Sequence, residues 1–345
     1  MNPLNSVNPT ADAPVDVAAA IEPVAAFWAA HAARRPIAVH SSGTTGQSRT
    51  IVRSTASWVD SFGLAAARLD LSSAGRFYIP GPLGATMNLF AACLADAAGA
   101  SWSPDPAGAT HCTLTPSGLG RALGSGLLSP GLVVLVAGDG LHDNLRDEAR
   151  AQGLRVEHYY GATELSLVAW GSCRSDLRLF DRVEARIIDG RIWVRSPWLS
   201  DGPAPGTPVG SWQRSADGFA GIGDHGRLDG DRLHVQGRDG AITTGGATVE
   251  LAPLTDRLRA AAGGEVYLVG IPHPVVGQVL GCAVTRPDDV ERLRAWSQRN
   301  LGPAERPRAW AVVEQPPLTA AGKIDTSALA ALIRGHHATS KEQHS

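Results

Sequence analysis

The sequence predicts an α/β protein with a large N-terminal lobe built on a layered, largely parallel sheet. A smaller antiparallel β subdomain and a small C-terminal α/β lobe follow. Three observations carry this. Between residues 37 and 158 short β-rich runs alternate with helical patterns, the signature of strand–helix–strand crossovers. Two turn signals, Asp189-Gly190 and Asp229-Gly230, then lie between β runs and read as hairpins. From about Asp239 a second, shorter alternation of helices and strands begins.

The elements follow in order. Residues 1–16 are rich in Pro, Asn and Asp and predict a disordered lead. The lobe of residues 17–238 opens with an Ala-rich helix over 18–33, whose apolar residues recur at helical spacing. Strands are predicted over 37–40 and 50–53, on either side of a Ser/Thr/Gly loop. A strand over 76–79, a helix over 87–98, a strand over 132–137, a helix over 141–152 and a strand over 154–158 continue the alternation. Hairpins are predicted over 183–194 and 228–235. The lobe of residues 239–334 comprises helix 251–262, strands 266–271 and 279–284, helix 290–301 and strand 309–313. Residues 335–345 read as a disordered tail.

Composition narrows the function. A chain of 345 residues with 43% hydrophobic and 19% charged residues is long enough for two or three ordinary soluble domains. A net charge of −2 gives no broad basic footprint, so neither nucleic acid nor an anionic membrane is an expected partner. No apolar run approaches transmembrane length. The N-terminus lacks the basic and apolar regions of a secretory signal, so a cytoplasmic location is expected. The four cysteines are far apart and form no CxxC, which argues against a zinc site or a disulfide framework.

Basic residues are unevenly chosen. Of 31 Lys and Arg, two are lysines, Lys323 and Lys341, leaving 29 arginines. Lys323 lies in Gly322-Lys323-Ile324-Asp325. Lys is a compact charge on a flexible stem, whereas Arg is a planar fork. A mobile ammonium that follows developing negative charge is one use for such a residue; a chance surface lysine is the other reading.

Three further segments carry chemistry. Ser41-Ser42-Gly43-Thr44-Thr45-Gly46-Gln47-Ser48-Arg49 lies between two strands. Its glycines permit close approach of a ligand, and its N–H groups, hydroxyls and Arg49 suit phosphate oxygens. It is not a Walker loop, because Ser48 and Arg49 stand where Gly and Lys are needed. A flexible surface loop has the same composition. Tyr159-Tyr160-Gly161-Ala162-Thr163-Glu164 is placed just past a strand, where α/β sheets bind ligands. An aromatic there can stack a base, a hydroxyl can reach a phosphate and a carboxylate can hold Mg²⁺; an ordinary turn with a charged rim is the alternative. Gly221-Ile222-Gly223-Asp224-His225-Gly226 has the spacing of a dinucleotide fingerprint, but a hairpin pattern follows it instead of a helix, so that assignment is rejected. Asp224 remains a carboxylate able to accept two ribose hydroxyls.

In this order the segments resemble the adenylate-forming superfamily: acyl-CoA synthetases, peptide-synthetase adenylation domains and luciferases. Residues 41–49 look like its phosphate loop. Gly138-Asp139-Gly140 resembles its adenine-contacting glycine stretch, and Tyr160-Gly161-Ala162-Thr163-Glu164 matches YGxTE. Gly223-Asp224, Gly237-Arg238 and Gly322-Lys323-Ile324-Asp325 match its ribose aspartate, interdomain arginine and catalytic lysine. The stretch Ile242-Thr243-Thr244-Gly245-Gly246-Ala247-Thr248-Val249 is most similar to short o-succinylbenzoate–CoA ligases.

The resemblance implies an adenylate-forming fold with a mobile C-terminal lobe hinged at Asp239. It implies ATP, Mg²⁺ and CoA as cofactors, and a carboxylic acid as substrate. Ser41, Ser42, Gly43, Thr44, Thr45, Gly46 and Arg49 would hold the pyrophosphate end of ATP. Gly138, Asp139, Gly140, Tyr160 and Gly161 would contact adenine, and Asp224 would take the ribose with Arg238 nearby. Thr163 would meet the α-phosphate, Glu164 would bind Mg²⁺, and Lys323 would bridge the acid and the α-phosphate. The acceptor implied is CoA or the pantetheine arm of a carrier protein. Acyl transfer to an amine and a degenerate, non-catalytic nucleotide-binding or partner-binding homologue are the alternatives.

Departures from the pattern qualify the expected substrate. Ser48-Arg49-Thr50 replaces the usual Pro-Lys-Gly, although Arg49 keeps the charge. Around Gly81-Pro82-Leu83-Gly84 the His or aromatic of the acid pocket is missing, and so is an Asp. This argues against an α-amino acid and against o-succinylbenzoate. Only 40 residues precede the phosphate loop, so much of the family's N-terminal portion is expected to be absent, with a homodimer partner covering the gap.

Overall fold

The computed structural model describes residues 13–41, 49–207, 209, 211–238, 240–244, 247–273, 277–320 and 322–342. Contacts divide the chain into two compact units. The larger holds Met1–Gly43, Ser48–Val235 and Ala320–Lys323; the smaller is built on Gln236–Thr319 and Ile324–Ser345. The division falls three residues before the predicted boundary at 238/239, and Lys323 groups with the larger unit.

In the larger unit, strands Ser101–Ser103, Arg76–Tyr78, His111–Leu114, Val133–Val136 and Arg155–Ala162 lie side by side and parallel. Alternate residues face opposite sides. Val133 and Leu135 pack towards one core with Phe27, Phe62, Leu89 and Phe90, from helices Pro23–Ala32, Ala56–Leu69 and Thr86–Ala97. Val134 and Val136 pack towards the other core with Leu119, Leu123 and Ala149, from helices Pro116–Gly124 and Asp143–Ala151. Both faces are therefore covered, which accounts for the continuous apolar run of residues 132–137.

After Arg155–Ala162 the ladder turns antiparallel. It continues through Ser166–Gly171, Arg178–Leu179 and the hairpin Asp224–Asp229/Arg232–Arg238, and on to Arg191–Arg195. The predicted antiparallel β section is thus joined to the parallel strands by one ladder. The Gly221–Gly226 segment leads into a strand, as the rejection of a dinucleotide fingerprint requires. A second sheet holds Val15–Asp16, Ile37–Ser41, Arg49–Arg53 and Gly202–Pro203.

The smaller unit is a sheet covered on both faces. In strand Val266–His273, Val266 and Leu268 face helices Leu251–Ala261 and Asp288–Asn300, while Val269 and Ile271 face helix Thr326–Glu342. Strand Ala309–Val312 adds to this sheet in parallel beside Gly277–Val284.

Several expectations change at the ends of elements. The first helix begins at Pro23, five residues late, because Pro favours the first helical turn. Val15–Asp16 pairs in parallel with Ile37–Ala38 inside the predicted lead. The last helix runs to Glu342, past the predicted start of the tail at 335. Helix Ala56–Leu69 was not anticipated; it buries Trp58, Phe62 and Leu69.

His158 is buried in strand Arg155–Ala162, with Nδ1 2.9 Å from the carbonyl oxygen of Val136. The carbonyl can only accept, so Nδ1 carries the proton of the neutral ring. Burial holds the imidazole pKa below its ordinary value. On acidification the unfolded chain takes up this proton first, near pH 6.5. Stability from this group is therefore intact above about pH 6.5 and falls below it until the folded ring also titrates. The slope is at most about 1.4 kcal/mol per pH unit. In urea unfolding, His158→Asn should lose less stability than the wild type between about pH 7 and 5. Parallel losses in the two proteins would contradict this.

Candidate functional site

The candidate site grows from the C-terminal ends of two neighbouring parallel strands. Val133–Val136 leads into Gly138-Asp139-Gly140, and Arg155–Ala162 carries Tyr160 and Gly161 beside it, with Val136 paired to His158. Strand ends of this kind hold ligands in open α/β sheets. Gly138 has φ 88°, in the left-handed region that glycine adopts without penalty. Asp139 turns back to accept a hydrogen bond from the Gly140 N–H at 2.7 Å.

The YGxTE segment lies differently from the expectation. Tyr160, Gly161 and Ala162 belong to the strand itself, and Thr163-Glu164-Leu165 closes a tight hairpin onto Ser166–Gly171. The register shifts between Tyr160 and Gly161, the local twist of a β-bulge that re-aims a side chain. A Cβ on Gly161 would come within 2.2 Å of the Ser166 carbonyl oxygen, so no other residue fits there.

The structure brings the sequence-predicted residues together in three groups. In the first, Tyr160 donates its hydroxyl to Asp224 Oδ2 at 2.6 Å, and Asp224 is buried. The aromatic and the carboxylate proposed for the two halves of a nucleoside are therefore neighbours.

In the second group, Glu164 is buried, 2% exposed, with Oε1 3.2 Å from Arg49 Nη2. That oxygen makes no hydrogen bond among the described residues. Arg49 also donates to the Val209 carbonyl at 3.1 Å. Arg49 pairs with Ser41 across two antiparallel strands, so these two residues are the posts of the predicted phosphate loop. Ser42, Gly43, Thr44, Thr45 and Gly46 lie outside the described residues.

In the third group, Lys323 reaches the Gly138 turn: its Cε lies 3.5 Å from where a Gly138 Cβ would stand. The Gly322 carbonyl accepts hydrogen bonds from Thr115 Oγ1 and Ser117 Oγ, both at 3.2 Å. Thr115 also caps helix Pro116–Gly124, accepting from the Gly118 N–H at 3.1 Å. Arg238 ends strand Arg232–Arg238; Asp239, Gly245 and Gly246 lie outside the described residues.

Sequence reasoning missed the residues that brace these groups. Arg53 is fully buried and donates to Ser57 Oγ (2.9 Å), the Thr163 carbonyl (2.9 Å) and the Trp198 carbonyl (2.7 Å). A charge closing the apolar run Ile51-Val52-Arg53 is the sequence signal that could have found it. Thr115-Pro116 is a helix-start signal that could have found Thr115.

A bound metal would have to fit these donors. Among the described residues no group of three or more His, Cys, Asp or Glu could hold one. Glu164 Oε1, buried and without a hydrogen bond, fits a single carboxylate ligand to an ion held otherwise by substrate oxygens, the manner usual for Mg²⁺.

The chain is similar to known proteins in sequence and in fold. Residues 258–323 match the model of the AMP-binding enzyme C-terminal domain. The chain is 26% identical over 330 residues to the uncharacterized acyl–CoA ligase YhfT of Bacillus subtilis, covering 83% of this chain and 66% of that protein. It is 28% identical over 159 residues to 2-succinylbenzoate–CoA ligase of Salmonella typhimurium, covering 42% of this chain and 32% of that one. The chain thus spans under two thirds of the length of either curated relative. In fold it is similar to a variant of Escherichia coli MenE with bound OSB-AMS, with a TM-score of 0.74, 23% identity, and 86% of this chain and 69% of that one covered.

Tyr160→Phe removes a donor from the buried Asp224 carboxylate. It should lower stability by about 1–3 kcal/mol, the usual cost of taking a partner from a buried charged group. A shift of the urea midpoint measures this; an unchanged midpoint would show that the Tyr160–Asp224 bond contributes nothing to the folded state.

Proposed function

The chain belongs to the adenylate-forming superfamily, and from that membership we propose that it activates a carboxylic acid with ATP and passes the acyl group to CoA. The observation that carries this reading is Lys323 beside the Gly138 turn at the ends of the parallel strands. The nearby hairpin carries Tyr160, Thr163 and Glu164.

In the first step a carboxylate oxygen attacks the α-phosphorus of ATP. The bond from that phosphorus to its bridging oxygen breaks, and pyrophosphate leaves with the electron pair. The attacking group is already an anion, so no general base is needed. Orientation and charge neutralisation carry the step. Tyr160 packs on adenine, and Asp224 takes the ribose hydroxyls. Thr163 meets the α-phosphate, and Arg49 and the loop it closes hold the departing pyrophosphate. Lys323 spans the acid and the α-phosphate, where negative charge is redistributed. Glu164 supplies a ligand for Mg²⁺, which when bound neutralises phosphate charge.

In the second step the sulfur of CoA attacks the acyl carbon and loses its proton to solvent. The bond from that carbon to the AMP oxygen breaks, and AMP leaves with one oxygen of the original acid. The lobe of residues 239–334 is proposed to act as a lid hinged at Asp239 between the two steps. A carrier-protein pantetheine arm is the alternative acceptor to CoA, and a homodimer completes the proposal. Cytoplasmic location fits an enzyme supplied with ATP and CoA. It also fits four cysteines that are all free and buried, and the described residues hold no helix long and apolar enough to cross a membrane. The presence of Thr163, Glu164, Asp224, Arg238 and Lys323 together argues against a degenerate homologue.

Lys323→Ala should slow acid-dependent exchange of labelled pyrophosphate into ATP by roughly 10²–10³, the loss expected for one donor to a developing charge. Screening wild type and variant over an acid library makes the test. Full exchange activity in the variant would remove the role given to Lys323.

A further inference from the structure

Arg53 is an arginine in a place that costs free energy. Its side chain is fully buried, and a buried cation is unfavourable unless its surroundings compensate it. Burial pushes its pKa down to about 9, with Asp201 and Glu164 pulling the other way, so it stays charged at neutral pH. Two of its three hydrogen-bond acceptors are backbone carbonyls on separate segments, Thr163 and Trp198. The third, Ser57 Oγ, is itself fixed by donating to the Ser54 carbonyl at 2.6 Å. The guanidinium also lies 5.0 Å from the centre of the Trp58 ring, a cation–π contact that offsets part of the desolvation.

The segments it joins bear on the candidate site. Thr163 opens the hairpin turn, and Glu164 follows it. The Glu164 carbonyl accepts from the Ser200 N–H at 2.9 Å, and the Leu165 N–H donates to the Ala162 carbonyl at 3.1 Å. Arg53 sits four residues along the same strand from Arg49, so both side chains leave the same face. One arginine meets the Glu164 carboxylate, and the other holds the backbone carbonyl just before it. A neutral side chain of similar length would leave the Thr163 and Trp198 carbonyls without this donor.

We propose that Arg53 is a positioning residue: by clamping the Thr163 and Trp198 carbonyls it fixes the turn that aims the Thr163 hydroxyl and the Glu164 carboxylate at the reacting phosphate. The catalytic half of this statement rests on the proposed acid activation; the structural half does not. Arg53 touches no reacting atom in this scheme and acts through the turn. Arg and Lys are not equivalent here, because one ammonium cannot reproduce a fork that holds two carbonyls and a hydroxyl.

The test compares full-length wild type, Arg53→Met and Arg53→Lys by two readouts. Amide hydrogen exchange needs no substrate. In Arg53→Met, protection of the Leu165 and Ser200 amides should fall by about tenfold or more, as expected for opening of a local unit, while amides of strand Val133–Val136 keep their protection. Arg53→Lys should fall between, and it decides the matter if Arg53→Met does not fold. Pyrophosphate exchange is the second readout: kcat should drop by about 10–100-fold, as for a displaced catalytic group, with KM for the acid near that of the wild type. Unchanged protection at Leu165 and Ser200 would overturn the proposal, as would an equal loss over the whole sheet, which marks a merely structural residue. Altered protection at the turn with wild-type kcat would overturn its catalytic half. If no acid of the library supports pyrophosphate exchange by the wild type, the proposed function fails, and hydrogen exchange alone still decides whether Arg53 holds the turn.

Discussion

A carboxylate buried at a tight turn is the constraint around which the candidate site is arranged. Glu164 is 2% exposed, and a charge so placed needs opposite charge close by. Strand Arg49–Arg53 supplies it: Arg49 meets the carboxylate, and Arg53 binds the carbonyl of the preceding residue. This couples the sheet of Ile37–Ser41 and Arg49–Arg53 to the hairpin at the end of the parallel strands. The same strand also closes the proposed phosphate loop through the Ser41–Arg49 pair. Shifting the strand by one residue would reverse the faces of both arginines and leave Glu164 buried without its partner.

Charge placement of this kind suits the proposed reaction. Attack of a carboxylate on a phosphate ester brings anions together and asks for neutralisation more than for proton transfer. The arginines are held by carbonyls and carboxylates, rigid and forked. Lys323 is one of two lysines in an arginine-rich chain, and the carbonyl before it is held by Thr115 and Ser117. A fixed cradle with one flexible cation fits a reaction in which the acid, the α-phosphate and the leaving group carry charge in succession.

Much of this was legible in the sequence, and the remainder was not for identifiable reasons. Strands 37–41 and 133–136 and the hairpin at Asp189-Gly190 were readable because period-2 patterns and turn residues are local signals. The grouping of Tyr160 with Asp224 followed from the order of the family's motifs, since 64 residues separate them. Helix Ala56–Leu69 escaped because Ser57, Asp60 and Ser61 interrupt its apolar pattern; two of these are buried with Trp58 and Phe62. Arg53 escaped because composition cannot tell a solvated arginine from one whose fork is filled by two distant carbonyls. The place of Glu164 inside a hairpin, instead of beyond a strand, depends on the bulge at Tyr160/Gly161, which no pattern of residue types specifies.

The central claim is that a carboxylate oxygen attacks the α-phosphorus of ATP, and following that oxygen tests it most directly. An acid that supports pyrophosphate exchange would be prepared with both carboxylate oxygens as ¹⁸O and turned over with ATP and CoA. The account predicts AMP carrying one ¹⁸O on its phosphate and a thioester retaining the other, with unlabelled pyrophosphate. Label in inorganic phosphate together with ADP would place the attack on the γ-phosphorus and contradict the account.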